Sequence, residues 1–304
     1  MKISAVILSY KNFEVTTKLC LDSILSQIEN KNIKLKVFDN YSPDDTPAKL
    51  KEYHSKIGGF DLILNNKNIG FAAGFNKAFK EENSDWVLII DSDTQFPNGS
   101  IGAMIDVLKN AKSNQQIISP VTNNAGTCQH LYFTSGDSIK IISEGIKLAN
   151  AATKTLIPIY RSDFFCVALK SELWNKLSGL AEDYGPGYFE DFDFCMRSRS
   201  LGVNCFMSEK WFVYHQGSAS FKHNSDQKKL IKLNRKIFLS KFPCAEMRHR
   251  RDDVYELVKF YIENSINSGL MYENRTQYLL NDNPRSFFKR IIWKMKIKKI
   301  LHVI

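Results

Sequence analysis

Two carboxylates stand one residue apart at the end of an apolar run. The stretch "WVLIIDSDTQF" carries Asp91 and Asp93 directly after five hydrophobic residues. Carboxylates at this spacing are poor acid–base partners for each other, but they suit a hard divalent cation such as Mg²⁺ or Mn²⁺, which prefers oxygen ligands and tolerates water in its remaining positions. We therefore predict a metal site at Asp91 and Asp93, and the alternative is that they cap the turn that follows.

A second acidic stretch, "GPGYFEDFDFCMRSRSLG", places three carboxylates in the first turn of a predicted helix. The helix macrodipole stabilises negative charge there by roughly 0.3 to 1 kcal/mol per residue. Arg197 lies four residues after Asp193 and can pair with it. This assigns Asp193 to structure and leaves Asp191, with Glu190 beside it, as a candidate general base toward a hydroxyl. The alternative is a solvated acidic helix cap.

Two further stretches carry weaker signals. Gly70, in "NKNIGFAAGFNKAF", permits an unusual backbone angle and the close approach of a ligand, and the helix that follows offers free N–H groups to an anion. A plain strand-to-helix turn explains the same spacing. His215, in "VYHQGSASF", follows a predicted strand and is either a ligand or a packing residue.

Strands and helices alternate through the first half of the chain and would position these residues. Five apolar runs read as strands, and they are "KISAVILSY", "IKLKVFDN", "FDLILNN", "WVLIIDSD" and "QQIISPV". Alternation with helical segments predicts an α/β fold, with a mostly parallel central sheet flanked by helices on both faces. Ligands bind at the carboxyl ends of such strands. We therefore expect one cleft lined by the polar strand ends: Ser9, Tyr10, Asp39, Asn40, Asn65, Asn66, Asp91, Ser92 and Asp93.

Composition excludes several classes of protein. The 304 residues are 43% hydrophobic, enough for a sizeable core, and no run approaches the roughly 20 apolar residues that cross a bilayer. Six scattered cysteines without CxxC spacing and the lack of an export signal favour a cytoplasmic protein. The formal net charge of +10 is concentrated near the C-terminus, where residues 284–304 hold seven basic residues and no acidic one. This distribution does not favour a nucleic-acid-binding face.

The ordered set "VILSYKN", "VFDNYSPDDT", "NKNIGFAAGFNKAF", "IIDSDTQF", "GYFEDFDFCMRSRSLG" and "VYHQGSAS" resembles the family 2 glycosyltransferases of the GT-A fold, especially their rhamnosyltransferase-like bacterial branch. The resemblance covers roughly residues 1–220. It implies a glycosyltransferase domain at 1–220 and leaves 221–304 as a basic helical C-terminal region.

The resemblance also implies roles for particular residues. Asp39 would hold the nucleobase, Asp91 and Asp93 the ribose and the metal-bound diphosphate, Asp191 would be the catalytic base, and His215 would be a further metal or phosphate contact. The remaining donor contacts would be Ser9, Tyr10, Asn68, Gly70, Asn76 and Ser92. Phe164 and Phe165 replace small residues that are common in the family and predict a different acceptor pocket, while Glu182 and Asp183 are rival carboxylates for the base.

The resemblance therefore predicts an inverting glycosyltransferase dependent on Mn²⁺ or Mg²⁺. It would move a sugar from a UDP- or dTDP-sugar to a hydroxyl of a bacterial surface glycan or lipid-linked intermediate. The alternatives are a non-catalytic nucleotide- or sugar-binding module on the same scaffold and, from net charge alone, a nucleic-acid-binding protein.

The C-terminal stretch "PRSFFKRIIWKMKIKKILHVI" predicts two apolar faces on one helix. Phe287, Phe288, Ile291, Ile292 and Met295 share one face, and Ile297, Ile300, Leu301 and Ile304 fall nearer the opposite face. The first face with its basic neighbours favours binding to an anionic membrane, which would place the protein at the inner face of the plasma membrane. The alternative is packing against the core or within a homo-oligomer.

Overall fold

The structure is a computed structural model of the chain, and it describes residues 1–80, 82–154, 156–217, 225–282, 284 and 286–301. Ten strands lie in these residues: β1 (Ile3–Ser9), β2 (Ile33–Asp39), β3 (Asp61–Leu64), β4 (Trp86–Asp91), β5 (Thr94–Gln95), β6 (Ile117–Val121), β7 (Ile157–Ile159), β8 (Cys166–Lys170), β9 (Cys205–Phe212) and β10 (Tyr214–His215).

The α-helices of the described residues number eleven. They are α1 (Thr17–Ile28), α2 (Thr46–Ile57), α3 (Phe71–Ala78), α4 (Ser100–Lys109), α5 (Ser138–Ala151), α6 (Ser171–Lys176), α7 (Glu190–Ser200), α8 (Ser225–Lys241), α9 (Arg250–Glu263), α10 (Leu270–Asn281) and α11 (Phe287–Leu301). None of these helices is both long enough and apolar enough to cross a membrane.

Eight strands form one twisted sheet in the order β3-β2-β1-β4-β8-β6-β9-β7. β1 pairs in parallel with β2 and β4, β2 with β3, and β6 with β9. β8 runs antiparallel between β4 and β6, and β7 is antiparallel to β9. The predicted α/β class is confirmed, including the mostly parallel sheet. The five predicted strands of the first half correspond to β1, β2, β3, β4 and β6.

Alternating side chains of the strands feed two hydrophobic layers, one on each face of the sheet. Ile3, Ala5 and Ile7 of β1 pack with α1, α2 and α4 on one face. Val6 points to the other face, whose layer includes buried residues of α3, α5, α6 and α7. Because successive side chains of a strand point to opposite faces, a continuous apolar run such as "AVIL" suits a strand covered on both sides.

The C-terminal helices α8 to α11 extend this second layer. Phe238, Val254, Tyr278 and Trp293 belong to the same buried cluster as Val6. A buried ion pair between Arg275 of α10 and Glu209 of β9, at 3.2 Å, joins the region to the sheet. The predicted division between residues 220 and 221 lies outside the described residues and stays a prediction. On either side of it, the described residues share one core.

Candidate active site

A cavity of about 720 Å³ opens at the carboxyl ends of β1, β2 and β4. Its wall opposite the strands comes from the segment that leads into α7 and from the C-terminal region. The structure brings nine of the predicted site residues together on its surface: Tyr10, Asn68, Gly70, Asp91, Ser92, Asp93, Glu190, Asp191 and His215. Three others, Ser9, Asp39 and Asn76, are not among the residues that line it. Of the further strand-end residues predicted to line the cleft, Asn40 does so, whereas Asn65 and Asn66 do not.

A short antiparallel ladder builds the candidate metal centre. Thr94 of β5 pairs with His215 of β10, and the backbone N–H of Gln216 donates to the carbonyl of Asp93 at 3.0 Å. This ladder brings the imidazole of His215 next to Asp91 and Asp93, although more than a hundred residues separate them in the sequence. Ligand atoms of Asp91, Asp93 and His215 all lie within 4.8 Å of one another.

The imidazole of His215 is fixed by its surroundings. Its Nδ1 lies 2.8 Å from the carbonyl oxygen of Asn124 and donates to it, while its ring stacks on Phe165 at 4.9 Å and 10°. Nε2 is thereby turned toward Asp93, 3.3 Å from Oδ1. A histidine ligand in proteins usually donates its second N–H to a carbonyl in this way, which sets the tautomer and aims the other nitrogen at the metal.

The charges of the cluster are mutually dependent. Burial and the adjacent charge of Asp93 raise the pKa of Asp91 well above its usual range. Burial lowers the pKa of His215, but its hydrogen bond to Asp93 and the charges of both aspartates outweigh this and raise it to about 9. Two carboxylates and one oriented imidazole nitrogen are a donor set that fits Mn²⁺ or Mg²⁺.

The candidate base lies at the start of α7, and its position depends on strained backbone. Tyr188 and Phe189 both adopt positive φ, 75° and 82°, immediately before the helix begins at Glu190. Non-glycine residues pay about 1 to 2 kcal/mol each for this conformation. The double turn directs the first helical residues, Glu190 and Asp191, into the cavity.

The two carboxyl groups of Glu190 and Asp191 differ in their contacts. Asp191 Oδ1 accepts a hydrogen bond from the N–H of Phe192 at 2.6 Å. Glu190 is 6% exposed, and its Oε2 has no hydrogen-bond partner among the described residues. Burial, followed by the charge of Asp191, raises the pKa of Glu190. Burial also raises the pKa of Asp191, as does the charge of Asp163, and Arg161 opposes the rise.

Asp193 holds the beginning of α7 in place, and the predicted pair with Arg197 is confirmed. Its Oδ1 lies 2.5 Å from Arg197 Nε, and its Oδ2 accepts from the Tyr184 hydroxyl at 2.8 Å and from Lys241 at 3.2 Å. The carboxylate is 1% exposed. It is therefore fully engaged in structure, as the sequence predicted.

Asn234 of α8 holds the segment before the candidate base through hydrogen bonds. Asn234 is 1% exposed, and its amide nitrogen lies 2.8 Å from the carbonyl oxygens of Tyr184 and Gly187 and 3.1 Å from that of Tyr188. These three residues come just before Glu190. The C-terminal region therefore fixes the backbone that presents the candidate base, a contact that no spacing in the sequence indicated.

Gly70 lies where two backbone segments approach each other closely. It has φ +84°, and a Cβ at this position would lie 2.3 Å from the carbonyl oxygen of Gly185. The N–H of Phe71 donates to Pro186 at 3.2 Å. The small residue thus allows the start of α3 to touch the segment that carries the base, in addition to lining the cavity.

The predicted residues off the cavity surface are engaged elsewhere. Ser9 bonds Thr17 at 2.8 Å, and Asp39 accepts from the N–H of Ser42 at 3.0 Å and from its hydroxyl at 2.5 Å. The cavity wall at this edge is formed instead by Tyr10, Asn40 and Asn68.

Asn76 binds the backbone of Leu180 through both ends of its amide and also binds Glu182 at 2.8 Å. Asp183 pairs with Lys241 at 2.5 Å. Neither of the rival carboxylates, Glu182 and Asp183, is among the residues that line the cavity.

Sequence reasoning missed the ionic pair Arg161 and Asp163, which also lines the cavity. Their side chains approach within 3.6 Å, and the Arg161 guanidinium lies 5.0 Å from the centre of the Phe192 ring. The pair occupies the irregular segment between β7 and β8, where no periodicity or motif marks a site.

Comparison with solved structures agrees with this architecture. The mannosyltransferase PcManGT from Pyrobaculum calidifontis, in complex with GDP-Man and Mn²⁺, matches with a TM-score of 0.54 at 14% identity, covering 99% of this chain and 74% of that chain. S. aureus TarS 1-349 in complex with UDP-GlcNAc gives 0.51 at 14% identity, with 99% and 81% covered. GalNAc-T7 with UDP, GalNAc and Mn²⁺ gives 0.55 at 13%, with 87% and 55% covered. The predicted GT-A fold is confirmed.

The fold and the acidic site at its strand ends define a glycosyltransferase of the nucleotide-sugar class. The sequence matches the family model described as glycosyl transferase family 2 over residues 4–155, half of the chain. The chain belongs to glycosyl transferase family 2. No curated protein matches the sequence. Membership of the rhamnosyltransferase-like branch stays a prediction.

Proposed function

We propose that the protein is an inverting, metal-dependent hexosyltransferase. It moves a sugar from a UDP- or dTDP-sugar to a hydroxyl of a bacterial surface glycan or of a lipid-linked intermediate. The observation that supports this most directly is that the Asp91, Asp93 and His215 cluster and the Asp191 carboxylate line one cavity of about 720 Å³. A nucleoside diphosphate sugar and an acceptor hydroxyl could meet between them.

In this proposal Asp191 takes the acceptor proton. The acceptor oxygen forms a bond to the anomeric carbon as the bond from that carbon to the diphosphate oxygen breaks, and the electron pair leaves with the diphosphate. Attack from the face opposite the diphosphate inverts the anomeric configuration. A base must be ionised to act, and the raised pKa of Asp191 brings its titration closer to neutral pH, where general bases are most effective.

Asp91, Asp93 and His215 would hold the divalent cation. The cation would supply Lewis-acid stabilisation of the charge that develops on the leaving diphosphate. Tyr10, Asn40 and Asn68 lie at the neighbouring strand ends and are placed to contact the nucleoside, with Asp39 and Ser42 forming the turn behind them.

The acceptor would enter from the side formed by the C-terminal region. Phe71, Tyr188, Phe189, Ile231 and Met247 give this side of the cavity aromatic and apolar walls. Binding pockets for sugars and other small molecules combine such surfaces with a few polar groups. Arg161 and Asp163 provide polar groups in the same cavity.

Binding of the nucleotide is tested first by thermal shift with UDP, dTDP, GDP and CDP, each with Mn²⁺, Mg²⁺ or EDTA. We expect one nucleoside diphosphate to raise Tm in the presence of the cation only. Asp93→Asn should abolish the shift, whereas Asp106→Asn, a change at an exposed aspartate of α4, should keep it. The same shift in EDTA would contradict the metal role.

Catalysis is tested by release of that nucleoside diphosphate from its sugar donor. Asp191→Asn keeps the shape of the side chain but cannot accept a proton, so we expect release to fall by at least about 10²-fold. The metal-dependent Tm shift should be retained. Turnover near that of the unmodified protein would move the base to Glu190, and binding without any turnover of the matching donor would favour a non-catalytic module.

A further inference from the structure

Helix α11 has two apolar faces with different surroundings. Trp293, Ile297 and Ile300 are 5%, 4% and 8% exposed and belong to the core cluster, and the Trp293 indole N–H donates to the carbonyl of Leu279 at 3.3 Å. The helix is therefore packed firmly on α10. Two residues of the predicted faces, Phe287 and Ile304, are not among those whose side chains the structure describes.

The opposite face of α11 is apolar and open to solvent. Phe288 is 76% exposed, Ile291 44%, Ile292 65% and Met295 66%. At about 100° per residue these four side chains span a stripe about 100° wide, the width of the apolar face of an amphipathic helix. Large apolar side chains exposed together on a stable helix indicate a surface that binds something.

Basic residues surround this stripe. Lys294 and Lys298 lie on one side of it, Lys289 on the other, and Lys299 near its C-terminal end, all of them exposed. Lys296 instead folds back over the Tyr255 ring at 4.1 Å. α11 contains no acidic residue, so every charged residue of this helix is basic.

We propose that this exposed face of α11 docks the protein on an anionic lipid bilayer. Apolar side chains would enter the boundary between headgroups and acyl chains, while the flanking lysines would contact lipid phosphates. The helix is already folded and held by its buried face, so docking needs no ordering of the chain. The inference does not depend on the proposed catalytic function.

Charge favours a bilayer over the other occupants. A second copy seated symmetrically on the same face would bring two cationic helices together without an acidic partner on α11, and like charges in contact oppose association. A nucleic acid would engage the lysines but would leave Phe288, Ile292 and Met295 in water. An anionic bilayer satisfies both the apolar stripe and its basic border.

The test uses the full-length protein and sedimentation with vesicles. We expect binding to vesicles of phosphatidylcholine with about 30% phosphatidylglycerol, weak binding to phosphatidylcholine alone, and loss of binding when salt rises from about 0.05 to about 0.5 M. Equal binding to both vesicle types, or none to either, overturns the proposal.

Two pairs of substitutions separate the apolar and the ionic contributions. Ile292→Glu with Met295→Glu should lower the partition coefficient at least about tenfold, because the stripe can no longer enter the bilayer. Lys294→Glu with Lys298→Glu should lower it at least about 25-fold, since each basic residue near an anionic surface accounts for about fivefold. The altered side chains are exposed, so folding should be unchanged, as checked by circular dichroism.

Matched controls carry the same changes elsewhere. Ile139→Glu alters an isoleucine of α5 that is 77% exposed, and Lys51→Glu with Lys147→Glu alters two exposed lysines of α2 and α5. The controls should bind vesicles as the unmodified protein does. If only the lysine changes on α11 matter, the surface binds polyanions and not a bilayer. If light scattering finds a dimer that the change at Ile292 and Met295 dissociates, and vesicles are not bound, the face is a contact between copies.

Discussion

Substitution of Asn234 by aspartate tests whether the C-terminal region positions the proposed catalytic base, Asp191. The two side chains have the same shape, but the aspartate replaces the NH₂ donor by an oxygen that faces the carbonyls of Tyr184, Gly187 and Tyr188. Hydrogen bonds of this kind contribute about 1 kcal/mol each, and the two N–H groups of the amide serve all three acceptors. Burial of a polar group without a partner costs about 1 to 3 kcal/mol more.

The expected loss in the free energy of unfolding is therefore about 3 to 5 kcal/mol, against a total of about 5 to 15 kcal/mol for a folded protein. The effect on catalysis should be larger than this suggests, because the freed backbone carries the positive φ angles of Tyr188 and Phe189. A displacement of about 1 Å at a reacting group can cost about 10²-fold in rate. We expect kcat to fall by about that factor.

Binding of the nucleotide with its cation should be unaffected, since Asn234 bonds to the segment before α7, whereas Asp91, Asp93 and His215 are positioned by β4, β5 and β10. The assay is nucleoside diphosphate release for kcat, thermal shift for nucleotide binding and urea unfolding for stability. Asn281→Asp is the control, because among the described residues its amide bonds within its own exposed helix turn, to Gln277. An unchanged kcat, or equal losses in kcat and nucleotide affinity, would refute the positioning role.

Three further predictions concern the candidate metal ligands, Glu190 and Gly70. Asp93→Ala should abolish metal-dependent nucleotide binding and His215→Ala should weaken it less, because a carboxylate offsets the charge of a divalent cation and a neutral imidazole does not. Calorimetry with Mn²⁺ and the nucleotide measures both affinities. A larger loss for His215→Ala than for Asp93→Ala would be inconsistent with this ligand set. Glu190→Gln should make the protein more stable than the unmodified form at pH 8 and equally stable at pH 4. The folded-state pKa of Glu190 is raised, so ionisation of Glu190 destabilises the native state as the pH rises past the unfolded value of about 4.3. The loss in the free energy of unfolding is about 1.4 kcal/mol per unit of pKa difference. Urea unfolding at the two pH values checks this, and an unmodified protein that is the more stable at pH 8 would show that the carboxylate is stabilised by an ionic contact. Gly70→Ala should destabilise the protein by at least about 1 kcal/mol more than Gly99→Ala, because both glycines have positive φ but only Gly70 would bring a Cβ against backbone; equal losses in urea unfolding would mean that the contact relaxes.

Local patterns predicted part of the cavity wall at the strand ends, although Ser9 and Asp39, predicted in the same way, do not line the cavity. Tyr10, Asp91 and Asp93 follow apolar runs, and parallel strands carry their carboxyl ends to one edge, so these residues meet for a reason that is visible in sequence. Asp193 was assigned to structure from its spacing to Arg197, and the ion pair is present.

The remaining features of the site and of the sheet depend on contacts between residues that are far apart in the sequence. The contact of His215 with Asp93 depends on the ladder between β5 and β10, and the amide of Asn76 donates a hydrogen bond to Leu180, about a hundred residues away. Neither pairing leaves a periodic signal. The antiparallel direction of β8 is equally hidden, because a strand buried on both faces has the same apolar pattern in either direction.

The C-terminal region supports both halves of the site, which argues that the described parts on either side of the predicted boundary act as one unit. On the base side, Asn234 holds the segment before Glu190. On the metal side, Arg250 of α9 donates to the carbonyl of Ala125 at 2.8 Å, next to Asn124, whose own carbonyl orients His215. A contact network of this kind fixes the candidate metal ligand and the candidate base relative to each other. The proposed inverting transfer requires this, because the acceptor oxygen and the leaving diphosphate would lie on opposite faces of one carbon. Helix α11 packs on α10 through Trp293, and the same indole ring contacts Tyr255 of α9, the helix that carries Arg250. Docking of the exposed face of α11 would therefore hold the proposed acceptor side of the cavity at a fixed place relative to a membrane.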